Sequence, residues 1–179
     1  IHNIDKVRDA FKTGKGVNYS DSHPCIFSGT ARFFRPSYSA NLLEKWIPAI
    51  PSVEKKLLDG CNFADIGCGF GVSSLMIANA FQNSKIYGFD IHRPSIENAN
   101  KEAEQMKINN AIFKVADAEN YDGEFDIITF FDCLHDMGDP LGASKYAFNH
   151  LKNDGNLILI EPSAADDPEE NFNTIGQMY

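Results

Sequence analysis

Basic residues are the scarce class in this chain. Its 179 residues hold 16 Lys and Arg against 25 Asp and Glu, a formal charge of −9. A surface of that sign repels phosphate backbones and anionic headgroups, which disfavours nucleic acid and acidic membranes as partners. No apolar run approaches the ~20 residues that cross a bilayer, and no signal peptide is visible. Cysteine is sparse: Cys25, Cys61, Cys68 and Cys133 form no C-x-x-C pair. That argues against a disulfide or zinc scaffold and suits free thiols in a reducing cytoplasm. His2, His23, His92 and His150 have no ligand spacing, so no metal site is predicted. Internal repeats and low-complexity tracts are absent. The first residue is Ile1 rather than Met, so the chain is expected to be an internal piece of a longer protein.

What is present suits one domain with a small appendage. The apolar share of 43% is enough for a core. Residues 1–58 are irregular and rich in aromatics and turn formers. Residues 59–179 alternate β-rich runs with amphipathic stretches, the pattern of βα units around a parallel sheet. Strands are predicted at 62–66, 85–90, 111–116, 125–131 and 156–160, several of them continuously apolar, as strands buried on both faces are. Helices are predicted at 72–81, 94–106 and 140–151, the last stopped by Asn153-Asp154-Gly155. In the first segment, helices are predicted at 4–11 and 38–46, with Pro48 and Pro51 ending the second. The stretch 166–170 reads as a solvated loop, and 173–179 as the start of another helix.

The densest chemistry lies at Asp65-Ile66-Gly67-Cys68-Gly69-Phe70-Gly71, between a strand and a helix. Glycine allows a sharp turn and close approach of a ligand to the backbone, and the helix N-terminus offers unpaired N–H groups. The spacing is G-x-G-x-G, not the dinucleotide G-x-G-x-x-G. Asp65, two positions before Gly67, can orient the loop and attract a ligand ammonium. Asp90 follows at the end of the next strand, where a carboxylate can accept from ribose hydroxyls or cap the following helix. Ile91 would flank an adenine. Asp117, at the end of the third strand, can accept from its amino group or be an ordinary loop carboxylate, and Ala118 leaves room for the ring. In open α/β sheets ligands bind at this edge.

These residues resemble class I S-adenosylmethionine-dependent methyltransferases over about 61–162. The similarity lies in Phe63-Ala64-Asp65-Ile66-Gly67-Cys68-Gly69-Phe70-Gly71, in Asp90 and Asp117, in the fourth-strand run 125–131, and in Asp154-Gly155-Asn156 through Glu161-Pro162. Phe131-Asp132-Cys133-Leu134-His135-Asp136-Met137-Gly138-Asp139-Pro140 is similar to a bacterial subgroup with an N-terminal winged-helix-like segment. So are Phe34-Arg35-Pro36-x-Tyr38 and Trp46-Ile47-Pro48.

The resemblance implies a Rossmann-like, doubly wound parallel α/β sheet with an N-terminal helical lid. The family's last two strands are apparently missing from this chain. It implies S-adenosylmethionine as cofactor, held by Asp65, Gly67, Cys68, Gly69, Gly71, Asp90, Ile91, Asp117, Ala118 and Phe131, and a small-molecule methyl acceptor. It also leaves room for a homodimer, since such segments dimerise or close the pocket.

In plant-type O-methyltransferases a His in a similar context is the base and a Glu steadies it. The resemblance therefore implies a His135–Glu161 pair, with Met137 and Gly138 departing from the pattern. Packing and strand-end roles for these two stay open. Asp132, Asp136 and Asp139 suggest either a Mg²⁺ site or, more simply, caps and turns. Tyr19, Phe33, Phe34, Arg35 and Tyr38 could cover the cofactor or pack on the core, and Arg32 or Arg35 could bind its carboxylate. Two rivals remain: a cofactor-binding regulatory module, and a nicotinamide oxidoreductase, against which the glycine spacing and Asp65 count.

Overall fold

The computed structural model describes residues 3–177. Five parallel strands form one sheet in the order β3-β2-β1-β4-β5: β1 Asn62–Ile66, β2 Lys85–Asp90, β3 Ala111–Val115, β4 Phe125–Phe131 and β5 Leu151–Ile160. The chain steps outward from β1 to β3, then returns to the other side of β1. Between β1 and β4 lies the switch point at whose carboxyl edge open sheets bind ligands.

Side-chain alternation in the strands sorts two cores. Phe63, Ile86 and Ile127 face α4 (Val72–Ala80), α5 (Arg93–Met106) and the N-terminal helices. Ala64, Ile66, Ile128 and Phe130 face α6 (Pro140–His150) and Tyr121. Burial on both faces explains the unbroken apolar run of β4. Helix α4 is mostly apolar, and six of its nine residues, Val72, Ser73, Ser74, Leu75, Ile77 and Ala78, are buried. β3, at the edge, is largely exposed.

The first segment departs from expectation. After α1 (Ile4–Thr13), closed by left-handed Gly14, one helix α2 spans Pro24–Asn41 and runs on through a π-helical turn, Leu42–Trp46. The predicted helix over 38–46 is only the end of this element. Pro24 suits a helix start, where the His23 ring accepts from Cys25 N. Pro36 lies inside the helix. It removes one backbone bond, but Phe27, Tyr38 and Leu42 are buried along the helix and its continuation, and that packing holds it. Pro51 opens α3 (Pro51–Asp59) rather than only closing what precedes it; Val53 and Leu57 are completely buried there. The N-terminal segment thus shares a core with the sheet.

β5 begins earlier than predicted. The pairing with β4 slips between Phe125↔Leu151 and Ile127↔Asn156, so residues 152–155 bulge out. Asn153-Asp154-Gly155 therefore sits inside an irregular strand. Pro168–Asn171 forms a 3₁₀ turn. Residues 174–177 form turns, and the remainder of the predicted terminal helix, Met178 and Tyr179, lies outside the described residues.

Candidate active site

A cleft of about 950 Å³ opens at the carboxyl edge of β1, β2 and β4. That is the upper end of the ~300–1,000 Å³ range for small-molecule pockets. Its floor is the Gly-rich turn, and its roof comes from the segment preceding and including α2.

The three glycines of the turn are all left-handed, at φ +72° for Gly67, +53° for Gly69 and +72° for Gly71, but only one faces open space. A Cβ on Gly67 would lie 2.8 Å from Cys133 Sγ, and one on Gly71 would lie 2.7 Å from the Phe113 ring. A Cβ on Gly69 would meet nothing within 4 Å. Gly67 and Gly69 line the cleft, while Gly71 does not. Gly71 is the N-cap of α4, packed close to Phe113 and Ala99. The amides of Gly67 and Cys68 donate to the Phe89 carbonyl at 2.8 and 3.0 Å, tying the turn to β2.

Asp65 is buried beneath this turn. Its Oδ2 accepts from the Ser73 and Ser74 hydroxyls at 2.7 and 2.6 Å, and Oδ1 from Thr129 Oγ1 at 3.4 Å. The carboxylate so joins β1 to the first turn of α4, whose positive dipole end favours it. Burial still pushes its pKa up to about 6, against the lowering effect of the three hydroxyls.

Asp90 accepts from Gly69 N on Oδ2 and His92 N on Oδ1, each at 2.8 Å. It does not cap α5 with its side chain. Burial raises its pKa despite both bonds. Each oxygen keeps a further lone pair for a ligand. Ile91, half exposed, and Ala118 and Phe131 add apolar wall, and Asp117 accepts from Glu119 N at 3.0 Å. Cys68 also lines the cleft; burial raises its thiol pKa well up, so it is an inert thiol. The open side of Gly69, the spare lone pairs of Asp90 and the apolar shelf of Ile91 and Ala118 fit an adenosyl ligand.

Tyr19, Phe33, Phe34 and Tyr38 line the roof, joined by Phe27. Burial, then the charges of Asp90, Asp136 and Cys133, push the Tyr19 hydroxyl up to about 12. Arg32 and Arg35 are not part of the cleft wall. Phe27 was not legible from sequence, because nothing local marks it apart from other aromatics. It stacks on His92 with ring centroids 3.7 Å apart.

At the other end, Leu134–Asp136 forms a 3₁₀ turn after β4. His135 lines the cleft, and Glu161 stands behind it. His135 Nδ1 is 2.5 Å from Glu161 Oε2, while Oε1 accepts from Leu134 N at 2.9 Å and Cys133 N at 3.3 Å. One carboxylate therefore orients both the ring and the turn that carries it. The Glu161 bond, ahead of the charges of Asp136 and Asp132, holds His135 above the usual imidazole value. Nε2 remains for the cleft, with Asp136 Oδ1 3.7 Å away. Asp132, in a left-handed conformation at φ +55°, completes a group with His135 and Glu161 whose ligand atoms lie within 4.8 Å of one another. That spacing, which the sequence reading missed, is within reach of a metal ion. Of the other two acids, Asp139 caps α6 through Gly142 N.

The family profile described as "Methyltransferase domain" matches residues 57–178. The chain belongs to this family, the class I S-adenosylmethionine-dependent methyltransferases. It is similar to YbxB of Bacillus subtilis, 28% identical over 140 residues that cover 70% of this chain and 67% of YbxB. It is also similar to the uncharacterized methyltransferase YcgJ of the same organism, 31% identical over 107 residues, 58% of this chain and 42% of YcgJ. The crystal structure of YcgJ superposes with a TM-score of 0.58 at 27% identity, covering 67% of this chain and 53% of that one. PKMT2 from Rickettsia typhi, solved in complex with AdoHcy, superposes at 0.53 and 26% identity, covering 57% of this chain and 21% of that one. The chain thus spans about half of YcgJ. The family's cofactor is S-adenosylmethionine. Among the described residues no helix is long and apolar enough to cross a membrane.

Proposed function

We propose that this protein methylates a hydroxyl of a small molecule, with His135 as general base. The observation that carries this reading is the His135 ring on the cleft wall, fixed through Nδ1 by Glu161. S-adenosylmethionine supplies a methyl group on a sulfonium, already a good leaving group. The chain's own task is then alignment and deprotonation. The Gly67–Gly69 turn, Asp90, Ile91, Asp117, Ala118 and Phe131 would seat the cofactor. With Glu161 accepting from Nδ1–H, Nε2 would take the proton of the acceptor hydroxyl, and the bound cofactor would supply the methyl group. The imidazolium that forms is stabilised by Glu161 and Asp136. The roof residues exclude water.

His135→Ala should keep cofactor affinity and lower turnover ~10²–10⁴-fold. Unchanged turnover would reduce His135 to packing. A second reading rests on the Asp132–His135–Glu161 group, in which a divalent ion would activate the acceptor oxygen. Chelation would then abolish turnover, whereas base catalysis survives it.

A further inference from the structure

The cleft wall carries carboxylates and aromatic rings, with His135 as its one basic side chain. Among the described residues that line it there is no lysine or arginine. Asp90, Asp117, Glu119, Asp132, Asp136 and Asp139 all border it. Two groups of these acids are close in space. Asp139 and Glu119 lie close to one another on either side of Gly142, near Ala118. Asp132 and Asp136 flank His135, with Asp136 Oδ1 3.7 Å from Nε2. His135 does not offset them, since in its role as base it is neutral, and when protonated it is bound by Glu161 and Asp136. The lining also includes the aromatic side chains Phe33, Phe34 and Tyr38, with the Tyr38 ring 5.9 Å from that of Phe131, the neighbour of Asp132. Aromatic faces attract cations as carboxylates do, and like charges across a recognition surface weaken binding strongly.

From this arrangement we infer that the methyl acceptor is an aromatic molecule bearing a basic amine, and that the cleft rejects the same skeleton bearing a carboxylate or a phosphate. The inference rests on the methyltransferase reading above and specifies its substrate class. An amine next to the reacting hydroxyl finds Asp136 or Asp132, its ring packs under Phe33 and Phe34, and no group in the wall neutralises an anion.

The test is calorimetric and uses the full chain. S-adenosylhomocysteine is titrated first; if it does not bind, the methyltransferase reading itself falls. The cofactor-loaded protein is then titrated with three ortho-substituted phenols of similar size: 2-hydroxybenzylamine, 2-ethylphenol and 2-hydroxyphenylacetate. 2-Hydroxybenzylamine should bind at least ~10-fold more tightly than the carboxylate, with the neutral phenol between them, and the spread should contract at high salt. Asp136→Asn should narrow the spread several-fold. Asp166→Asn, which makes the same change in net charge on an exposed residue outside the cleft wall, should leave it intact. Equal or tighter binding of the carboxylate would overturn the inference. So would binding of none of the three, or equal effects of the two variants, since the preference would then come from overall charge and not from the cleft.

Discussion

Phe27 of α2 lies flat on the ring of His92, with centroids 3.7 Å apart and planes at 17°. His92 follows Asp90 by two residues and bonds Ser95 through Nδ1 at 2.7 Å. Tyr19 meets the edge of Phe27 at 5.1 Å. One aromatic pair therefore fastens the roof of the cleft to the loop that follows Asp90. Phe27→Ala should lower stability by ~3 kcal/mol, as loss of a buried Phe does, and should weaken S-adenosylhomocysteine binding as the roof loosens. Denaturant titration and calorimetry report the two effects. An intact cofactor affinity would mean that the roof closes without this stack.

The glycines of the turn should respond in opposite ways. Gly71→Ala places a methyl 2.7 Å from Phe113 and 3.0 Å from Ala99 and should destabilise the fold severely, through overpacking added to left-handed strain. Gly69→Ala meets open space, so only the conformational cost of ~1–2 kcal/mol applies, while its methyl would project from the lining of the cleft. Thermal melts should separate the two, and cofactor binding by a folded Gly69→Ala protein should be weakened. Full affinity would move the ligand away from Gly69.

Glu161 sets the pH response of His135. Its hydrogen bond raises the imidazole pKa above 6.5, and a base works only when deprotonated. The wild-type kcat/KM should therefore rise with pH through a value above 6.5. Glu161→Gln removes the raising charge and should move this limb to lower pH while reducing the maximum. A pH–rate profile unmoved by the substitution would dissociate Glu161 from the base.

Asp65 gives a stability signature. Its folded pKa, about 6, exceeds the ordinary 3.8 because of burial. The folded state therefore binds the proton more tightly than the unfolded chain. The resulting stabilisation is full below 3.8 and is lost as pH rises through about 6, a swing of about 3 kcal/mol. In Asp65→Asn an amide oxygen can take both serine hydroxyls and the NH₂ can donate to Thr129, without titrating. Wild-type stability relative to this variant should fall between pH 4 and 7, both ends read by denaturant titration. The variant should also bind S-adenosylmethionine more weakly. A pH-independent difference would mean that Asp65 is ionised throughout.

Much of the Rossmann-like half was legible in the sequence. Each strand and its following helix are contiguous, and burial on two faces writes an apolar run such as Phe125–Phe131 directly into the chain. Asp65, Gly67, Gly69, Asp90, Asp117 and Ala118 all sit at strand ends, so a local pattern places them at one edge of the sheet. The N-terminal segment was less legible. Pro51 reads as a helix stop, and the helix predicted at 38–46 begins only after Pro36; contacts with the sheet show that Pro51 opens a helix and that Pro36 lies inside one.

By itself the sequence determined the parallel βα architecture, the family and the position of the Gly-rich turn, because these depend on short-range periodicity and on glycine's access to positive φ. The tertiary structure alone decided that Gly71 answers to Phe113 and that Phe27 pins the roof to His92, and it gave the His135–Glu161 pair, which the resemblance implied, its geometry across 26 residues of chain. Those are contacts between segments distant in sequence. Their geometry follows from how the strands are ordered and how the helices pack, and no local pattern encodes it.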